Sequence, residues 1–308
     1  MADRGDQGSV EVAMSQVQGP IVPRKRLGAE LKRLREAANL TLDQVASDLL
    51  ISTSKLSRLE NAQGSPQARD VRDLAVYYKV ANTPRGDQLM RWSRDGRRQA
   101  WWANYQDVLD RDPSFDAYLA YETEASIARV YTIPYVAGLL QTADYTRALI
   151  GAMDPWRTPE EIERFVQVRK LRQQILMHRE GREPLELTTI IHESCLTQFV
   201  GSLKIMNDQL EALLKAATLP NVEIRILPAS SEPHTMNTCT WSYFIFSEDT
   251  FDRDVVQIEN HAGFFQIERP EQVKRYDRAF EELVRRSRDS EDSCEFIQSV
   301  LVQGAEMF

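Results

Sequence analysis

The sequence predicts a multidomain protein in which an all-α domain of five short helices precedes an α+β domain with a largely antiparallel sheet. The length of 308 residues corresponds to about two domains. Hydrophobic residues make up 42% of the chain and charged residues 27%, which is an ordinary globular composition. The two parts differ in charge. Residues 24–98 contain 16 Lys and Arg and only 9 Asp and Glu, whereas the whole chain has a net charge of −8.

This charge asymmetry bears on the choice of partner. The block from Arg24 to Arg98 has a net charge of +7, the first 23 residues have −2, and the remainder has −13. A basic block of about 75 residues suggests an anionic partner such as nucleic acid. Ordinary fluctuation of surface charge between domains would explain the asymmetry equally well, so charge alone does not decide.

Helix signals begin at residue 27 of the basic block. Leu27, Leu31 and Leu34 form an apolar stripe that predicts a first helix over residues 27–39. Thr41 is followed three residues later by Gln44, and this capping-box spacing predicts the start of a second helix.

Three more helices complete the predicted all-α domain. Ser52 is an N-cap candidate for a third helix, and residues 68–80 carry the apolar spacing of a fourth. Thr83 and Pro84 supply a cap and a proline at the first helical position for a fifth.

The second and third helices have the layout of a helix-turn-helix motif. Ala46 is small where the two helices would cross. The outward surface of the third helix consists of hydrogen-bond donors without an acid: Thr53, Ser54, Lys55, Ser57 and Arg58. Arg58 can bind guanine with two hydrogen bonds, while hydroxyl groups and Lys55 suit phosphates or base edges.

The run LTLDQVASDLLISTSKLSRLENAQGSP resembles the helix-turn-helix of the phage-repressor and Xre class of regulators. The similarity covers roughly residues 28–80. It implies that the bases of double-stranded DNA are read by Thr53, Ser54 and Arg58. It also implies that DNA phosphates are bound by Ser52, Lys55 and Asn61.

The same resemblance implies a buried structural ion pair between Arg35 and Glu60, on the first and third helices. Two residues depart from the family pattern. Leu42 stands where a DNA-contacting Gln usually opens the second helix, and Ala62 stands where Gly is common after the recognition helix.

The predicted domain boundaries follow these signals. Residues 1–22 are expected to form a disordered tail, 23–95 the helix-turn-helix domain, 96–113 a linker, and 114–308 an α+β regulatory or partner-binding domain. In the linker, the adjacent Trp101 and Trp102 near several arginines could form a stacking platform for nucleic acid. We favour a hinge whose tryptophans dock on a core, because helix-turn-helix proteins read duplexes.

The acidic block mixes helix and strand signals, which predicts the α+β class. Helices are expected at 114–129, 141–151, 158–180, 203–218, 270–288 and 293–303. Strands are expected at 185–193, 221–227, 239–246, 254–260 and 263–268.

The motif order of this block is similar to an uncharacterised domain that follows Xre-type modules in many actinobacterial regulators. The similar runs include YETEA, IPYVAGLLQTADYTRAL, HESCL and NDQLEALLKAATLPNVEIRILP. Ala137 departs from the family's usual Pro. The resemblance implies a sensor or partner domain, with a small-molecule effector or a small protein encoded nearby. Residues 138–145 could line a pocket, but we favour a helix entrance with Thr142 as its N-cap.

No catalytic constellation stands out. The four histidines lack metal-ligand spacing, and pairing Cys195 or Cys239 with a histidine is possible in any sequence of this size. We therefore expect no enzyme activity, no cofactor, no metal and no membrane, and a cytoplasmic, nucleoid-associated location. The predicted function is a sequence-specific transcriptional regulator that acts as a homodimer on double-stranded DNA. The alternatives are an antitoxin-like interaction module with autoregulatory DNA binding, or an enzyme tethered to DNA.

Overall fold

The structure, a computed structural model, describes residues 20–109, 113–179, 182–232, 238–246, 254–260 and 263–307. The described chain separates into two compact units, the first ending at Ala103 and the second beginning at Asn104. Residues 1–19 of the expected disordered tail lie outside the described residues. Residues 21 and 22, the last two of that tail, belong to a helix that begins at Ile21.

Five α-helices lie in the described part of the first unit, as predicted. They are α1 Ile21–Ala37, α2 Leu42–Asp48, α3 Thr53–Glu60, α4 Ala68–Tyr77 and α5 Pro84–Asp95. Helix α1 starts six residues before the predicted position, and Pro23 is tolerated because a first helical turn has no partner for its N–H groups. A 3₁₀ helix, Trp101–Tyr105, follows; Trp102 is buried and Trp101 half-buried.

Local capping fixes the bounds of the two central helices. Thr41 and Gln44 form both hydrogen bonds of a capping box at the start of α2, at 2.8 and 3.2 Å. The Ser52 hydroxyl accepts the backbone N–H of Lys55 at 3.2 Å and so caps α3. These contacts are encoded within three residues, which explains why the sequence predicts them.

The core of the first unit positions α3 against α1. Leu27, Leu31 and Leu56 are fully buried within one apolar cluster. Gly28 lies where the backbones meet, because a Cβ at this position would be 2.5 Å from the carbonyl oxygen of Glu60. The absence of a side chain therefore lets the end of α3 lie directly on α1.

Among the residues that the structure describes, one mixed sheet of six strands forms the centre of the second unit. The strands are β1 Ile127–Thr132, β2 Glu186–His192, β3 Val222–Leu227, β4 Trp241–Ile245, β5 Val255–Asn260 and β6 Gly263–Ile267. Their order is β3-β2-β1-β4-β5-β6. The β3-β2-β1 half is parallel, and the three remaining pairings are antiparallel.

Seven α-helices accompany this sheet among the described residues. They are α6 Pro113–Glu124, α7 Ala143–Met153, α8 Pro159–Gln173, α9 Ser194–Thr197, α10 Leu203–Ala216, α11 Pro270–Arg286 and α12 Ser290–Met307. Helix α11 covers part of the sheet, where Phe280 and Leu283 pack with Trp241 and Tyr131. No helix in the described part of the chain combines the length and the apolar character needed to cross a membrane.

The prediction of a helix over 114–129 is wrong at its C-terminal end. Helix α6 stops at Glu124, and strand β1 begins three residues later. β1 pairs with β2 on one side and β4 on the other, so long-range pairing decides its conformation rather than local sequence. The predicted helix over 158–180 likewise ends early, at Gln173, and a 3₁₀ turn over Gln174–Leu176 follows.

Candidate nucleic-acid interface

Helix α3 turns one face to the core and the opposite face outward. Leu56 and Glu60 are buried on the inner face. Ser54 and Arg58 are exposed, and their spacing of four residues places them on one side of the helix. The outer face therefore presents a hydroxyl and a guanidinium in line.

Arg58 is available for binding. Its side chain is exposed, and it has no hydrogen bond or ion pair with any residue that the structure describes. A guanidinium in this state gives up only water when it binds an acceptor pair, and its planar geometry matches the O6 and N7 edge of guanine.

Thr53 is held by the preceding helix. Its hydroxyl donates to Asp43 Oδ1 of α2 at 2.8 Å. Because the hydroxyl proton is engaged, the oxygen is left as an acceptor. Thr53 in this geometry can accept a hydrogen bond from an amino group of adenine or cytosine.

Three further candidate residues lie on α3 or cap its ends. Lys55 forms an ion pair with Asp70 of α4 at 2.7 Å, and the lysine side chain remains 43% exposed. Ser52 accepts a backbone N–H, so its own proton can still be donated to a phosphate. Asn61 donates its amide to the carbonyl of Ser57 at 2.8 Å, and a phosphate would have to share that amide.

Arg35 and Glu60 lie together behind this surface. Arg35 Nε and Nη2 donate to Glu60 Oε1 and Oε2 at 2.8 and 2.9 Å, and the side chains are 11% and 3% exposed. Arg35 Nη1 also donates to the Leu40 carbonyl at 3.0 Å. The hydrogen bonds that Arg35 donates to Glu60 raise the pKa of Arg35 despite its burial. The pair thus ties α1 and its C-terminal loop to the end of α3.

A second buried carboxylate, Glu30, was not predicted. Its side chain is 1% exposed and pairs with Arg33 at 2.8 and 2.9 Å and with Arg85. Glu30 follows Leu27 by three residues and precedes Leu34 by four, so it interrupts the apolar stripe of α1. An acidic residue within an apolar stripe is the signal in the sequence that could have predicted this buried ion network.

Two turns next to α3 use a backbone conformation that favours glycine. Leu50, in the turn between α2 and α3, has a φ of 53° and its side chain is 94% exposed. Ala62, just after α3, has a φ of 58°. Both residues carry a Cβ that crowds the backbone in this region. Leu42, which replaces the usual Gln, packs partly buried against the core.

In the second unit, the segment 138–145 forms a helix entrance. Thr142 caps α7 by accepting the backbone N–H of Tyr145 at 3.2 Å. Gln209 clamps the segment, since it accepts the N–H of Thr142 at 2.7 Å and donates to the Leu140 carbonyl at 2.8 Å.

The described residues contain no group of three or more His, Cys, Asp or Glu side chains that could hold a metal ion. His234 and His261 lie outside them. His192 Nδ1 lies 2.7 Å from Ser194 Oγ and 3.2 Å from the backbone N of Ser194, which donates to it. The imidazole lone pair therefore receives a backbone hydrogen at the start of α9.

Comparison with known families gives two matches. A family model described as a helix-turn-helix domain matches residues 26–87. A family model described as "Domain of unknown function (DUF5753)" matches residues 115–299. No curated protein and no solved structure matches the chain.

Proposed function

Because the chain belongs to the family described as "Domain of unknown function (DUF5753)" and carries a helix-turn-helix domain, we propose that it is a sequence-specific transcriptional regulator of double-stranded DNA. In this proposal α3 enters the major groove. The observation that carries it is the outer face of α3, where the unpaired Arg58 stands four residues from Ser54 on a helix without an exposed acid.

The roles of the individual residues follow from the hydrogen-bonding groups that each side chain has unoccupied. Arg58, Ser54 and Thr53 read bases, Thr53 as an acceptor because Asp43 takes its proton. Phosphates are bound by Ser52, Lys55 and Asn61. Lys55 exchanges its contact with Asp70 for a phosphate, so part of its Coulomb gain is offset by the ion pair that it leaves.

We assign the regulator to the Xre class and to the actinobacterial kind on the resemblance of its motifs. Regulators with a helix-turn-helix usually bind two half-sites about one helical turn apart, which requires a homodimer. The second unit supplies dimerisation and receives a signal, from an effector or from a small partner protein. The chain beyond residue 98 has a net charge of −13, which favours a position of this part away from the phosphates.

The competing functions differ in what the second unit does. An antitoxin-like protein would bind a small protein partner through this unit and use DNA binding for autoregulation. An enzyme tethered to DNA would need a nucleophile and a base in the unit. The contact between His192 and Ser194 supports this alternative poorly, because a backbone N–H already donates to the imidazole nitrogen.

Selection of DNA by the full-length chain tests the proposal. The chain is incubated with a library of randomised duplexes, and the bound duplexes are sequenced while the mass of the protein is measured in solution. We expect enrichment of a pseudo-palindromic site with half-sites about 10 bp apart, bound by a dimer. Recovery of random duplexes alone would refute sequence-specific regulation, and a monomer on a single half-site would refute the dimer.

A further inference from the structure

The second unit contains an arginine, Arg169 of α8, without a polar partner. Its Nε is buried with no hydrogen-bond acceptor, and no hydrogen bond or ion pair joins its guanidinium to any described residue. The side chain as a whole is only half-buried, so solvent still reaches part of it. The Cζ atom lies 5.5 Å from the ring centroid of Phe165. Arg169 has therefore lost part of its hydration without gaining a counter-ion, which is costly.

No neighbouring carboxylate forms an ion pair with Arg169 among the described residues. Arg172, one turn further on, is 4% exposed and donates to both oxygens of Glu122 at 2.7 Å. Glu122 is 2% exposed, so this bidentate pair already uses the buried carboxylate. Glu259 acts on Arg169 through space but is exposed to solvent. The buried part of this cluster thus holds two guanidinium groups and one carboxylate, whereas the second carboxylate, Glu259, stays in contact with solvent.

Burial and the charge of Arg172 lower the pKa of Arg169 to about 10. This value is far enough above neutral pH that the guanidinium stays charged in the cell. Arg169 therefore keeps its positive charge in the unliganded unit.

Gly138 lies next to the guanidinium groups of Arg169 and Arg172. A Cβ at position 138 would collide with Nη1 of Arg169 and would lie 3.3 Å from Nη2 of Arg172. The glycine thus lets both guanidinium groups approach one point of the backbone. Phe115 and Tyr118 lie beside Arg172, with ring centroids 5.9 and 5.2 Å from its Cζ. Aromatic surroundings weaken solvent screening and strengthen any ion pair formed there.

We propose that Arg169, with Arg172 beside it, binds a small anion that carries a carboxylate or a phosphate group. The guanidinium fork of Arg169 supplies the unpaired donors, and Arg172 adds positive charge while it keeps Glu122. This inference rests on the proposed regulatory function, because it assigns the effector of the second unit to one chemical class.

Calorimetric titration of the full-length chain with inorganic phosphate and with benzoate tests the site. We expect millimolar or tighter binding of at least one probe, weakened at least about tenfold in Arg169→Gln, the loss expected when one charge-assisted hydrogen-bonding group is removed. Lys170→Gln is the matched control, because it removes an exposed positive charge one residue away. Equal weakening in both variants would show unspecific charge attraction and would overturn the proposal, as would binding of neither probe by the unaltered chain.

A thermal melt without anion separates binding from a structural role. Arg169→Gln removes a partly buried charge that Arg172 repels, so its melting temperature should equal or exceed that of the unaltered chain. A marked decrease would mean that Arg169 supports the fold, and the proposal would be wrong. Operator binding is measured in parallel. DNA binding without anion binding would refute this site alone, whereas anion binding without DNA binding would refute the regulatory function alone.

Discussion

Replacing Glu60 by Ala should loosen the whole helix-turn-helix, because it leaves Arg35 without its buried counter-ion. The guanidinium is 11% exposed and keeps the Leu40 carbonyl at 3.0 Å and the exposed Glu36 carboxylate at 3.8 Å. Breaking a buried pair costs about 3–5 kcal/mol. We expect the lower end, about 3 kcal/mol, because Arg35 retains these acceptors and some contact with water.

Hydrogen exchange of the full-length chain, followed by mass spectrometry, measures this loss where it occurs. A loss of about 3 kcal/mol corresponds to roughly 100-fold faster exchange of core amides in α1 and α3, since about 1.4 kcal/mol is tenfold. Glu36→Ala is the control, because this carboxylate lies 3.8 Å from Arg35 but is 57% exposed. Exposed pairs contribute at most about 1 kcal/mol. Equal exchange rates in the two variants would refute the buried-pair reasoning.

Two further predictions concern a turn and a thiol. Ala62→Gly should stabilise the protein by about 0.5–1 kcal/mol, since Ala62 has a φ of 58°. The control Ala29→Gly, inside α1, should destabilise the protein by about 1 kcal/mol. Denaturant melts measure both changes, and a loss of stability in both variants would contradict the strain argument. Burial raises the pKa of the Cys195 thiol to about 12. Iodoacetamide at pH 8 should therefore leave this thiol unlabelled in the folded chain and label it after denaturation. Rapid labelling of the folded chain would contradict the burial of Cys195.

Elements whose signals are local were predictable from the sequence. The capping box of Thr41 and Gln44, the cap at Ser52 and the pattern Thr83–Pro84 lie within a few residues of the helices that they start. These signals predict the starts of α2, α3 and α5, because capping hydrogen bonds are satisfied by the neighbouring backbone. Helices α1 and α4 have no side-chain cap, and their apolar spacing predicts them instead.

Elements decided by distant contacts were not predictable. Strand β1 is held by partners that lie about 60 and 115 residues away in the chain, and the sequence suggested a helix for its first residues. The contact of Lys55 with Asp70 and the bond from Thr53 to Asp43 depend on how helices cross. The unpaired Arg169 could not be inferred either, because a missing partner is visible only in three dimensions.

The comparison of Arg58→Ala with Lys55→Ala on the selected DNA site tests the central claim most directly. Arg58→Ala should cost about 1–3 kcal/mol on the preferred site and remove the base preference at one position. Lys55→Ala should weaken all duplexes alike and reduce the salt slope by at most about one unit, since Lys55 already pairs with Asp70. Affinities are measured for preferred and scrambled duplexes across a salt series. Identical, sequence-independent effects of the two variants would contradict the assignment of α3 as the helix that reads bases.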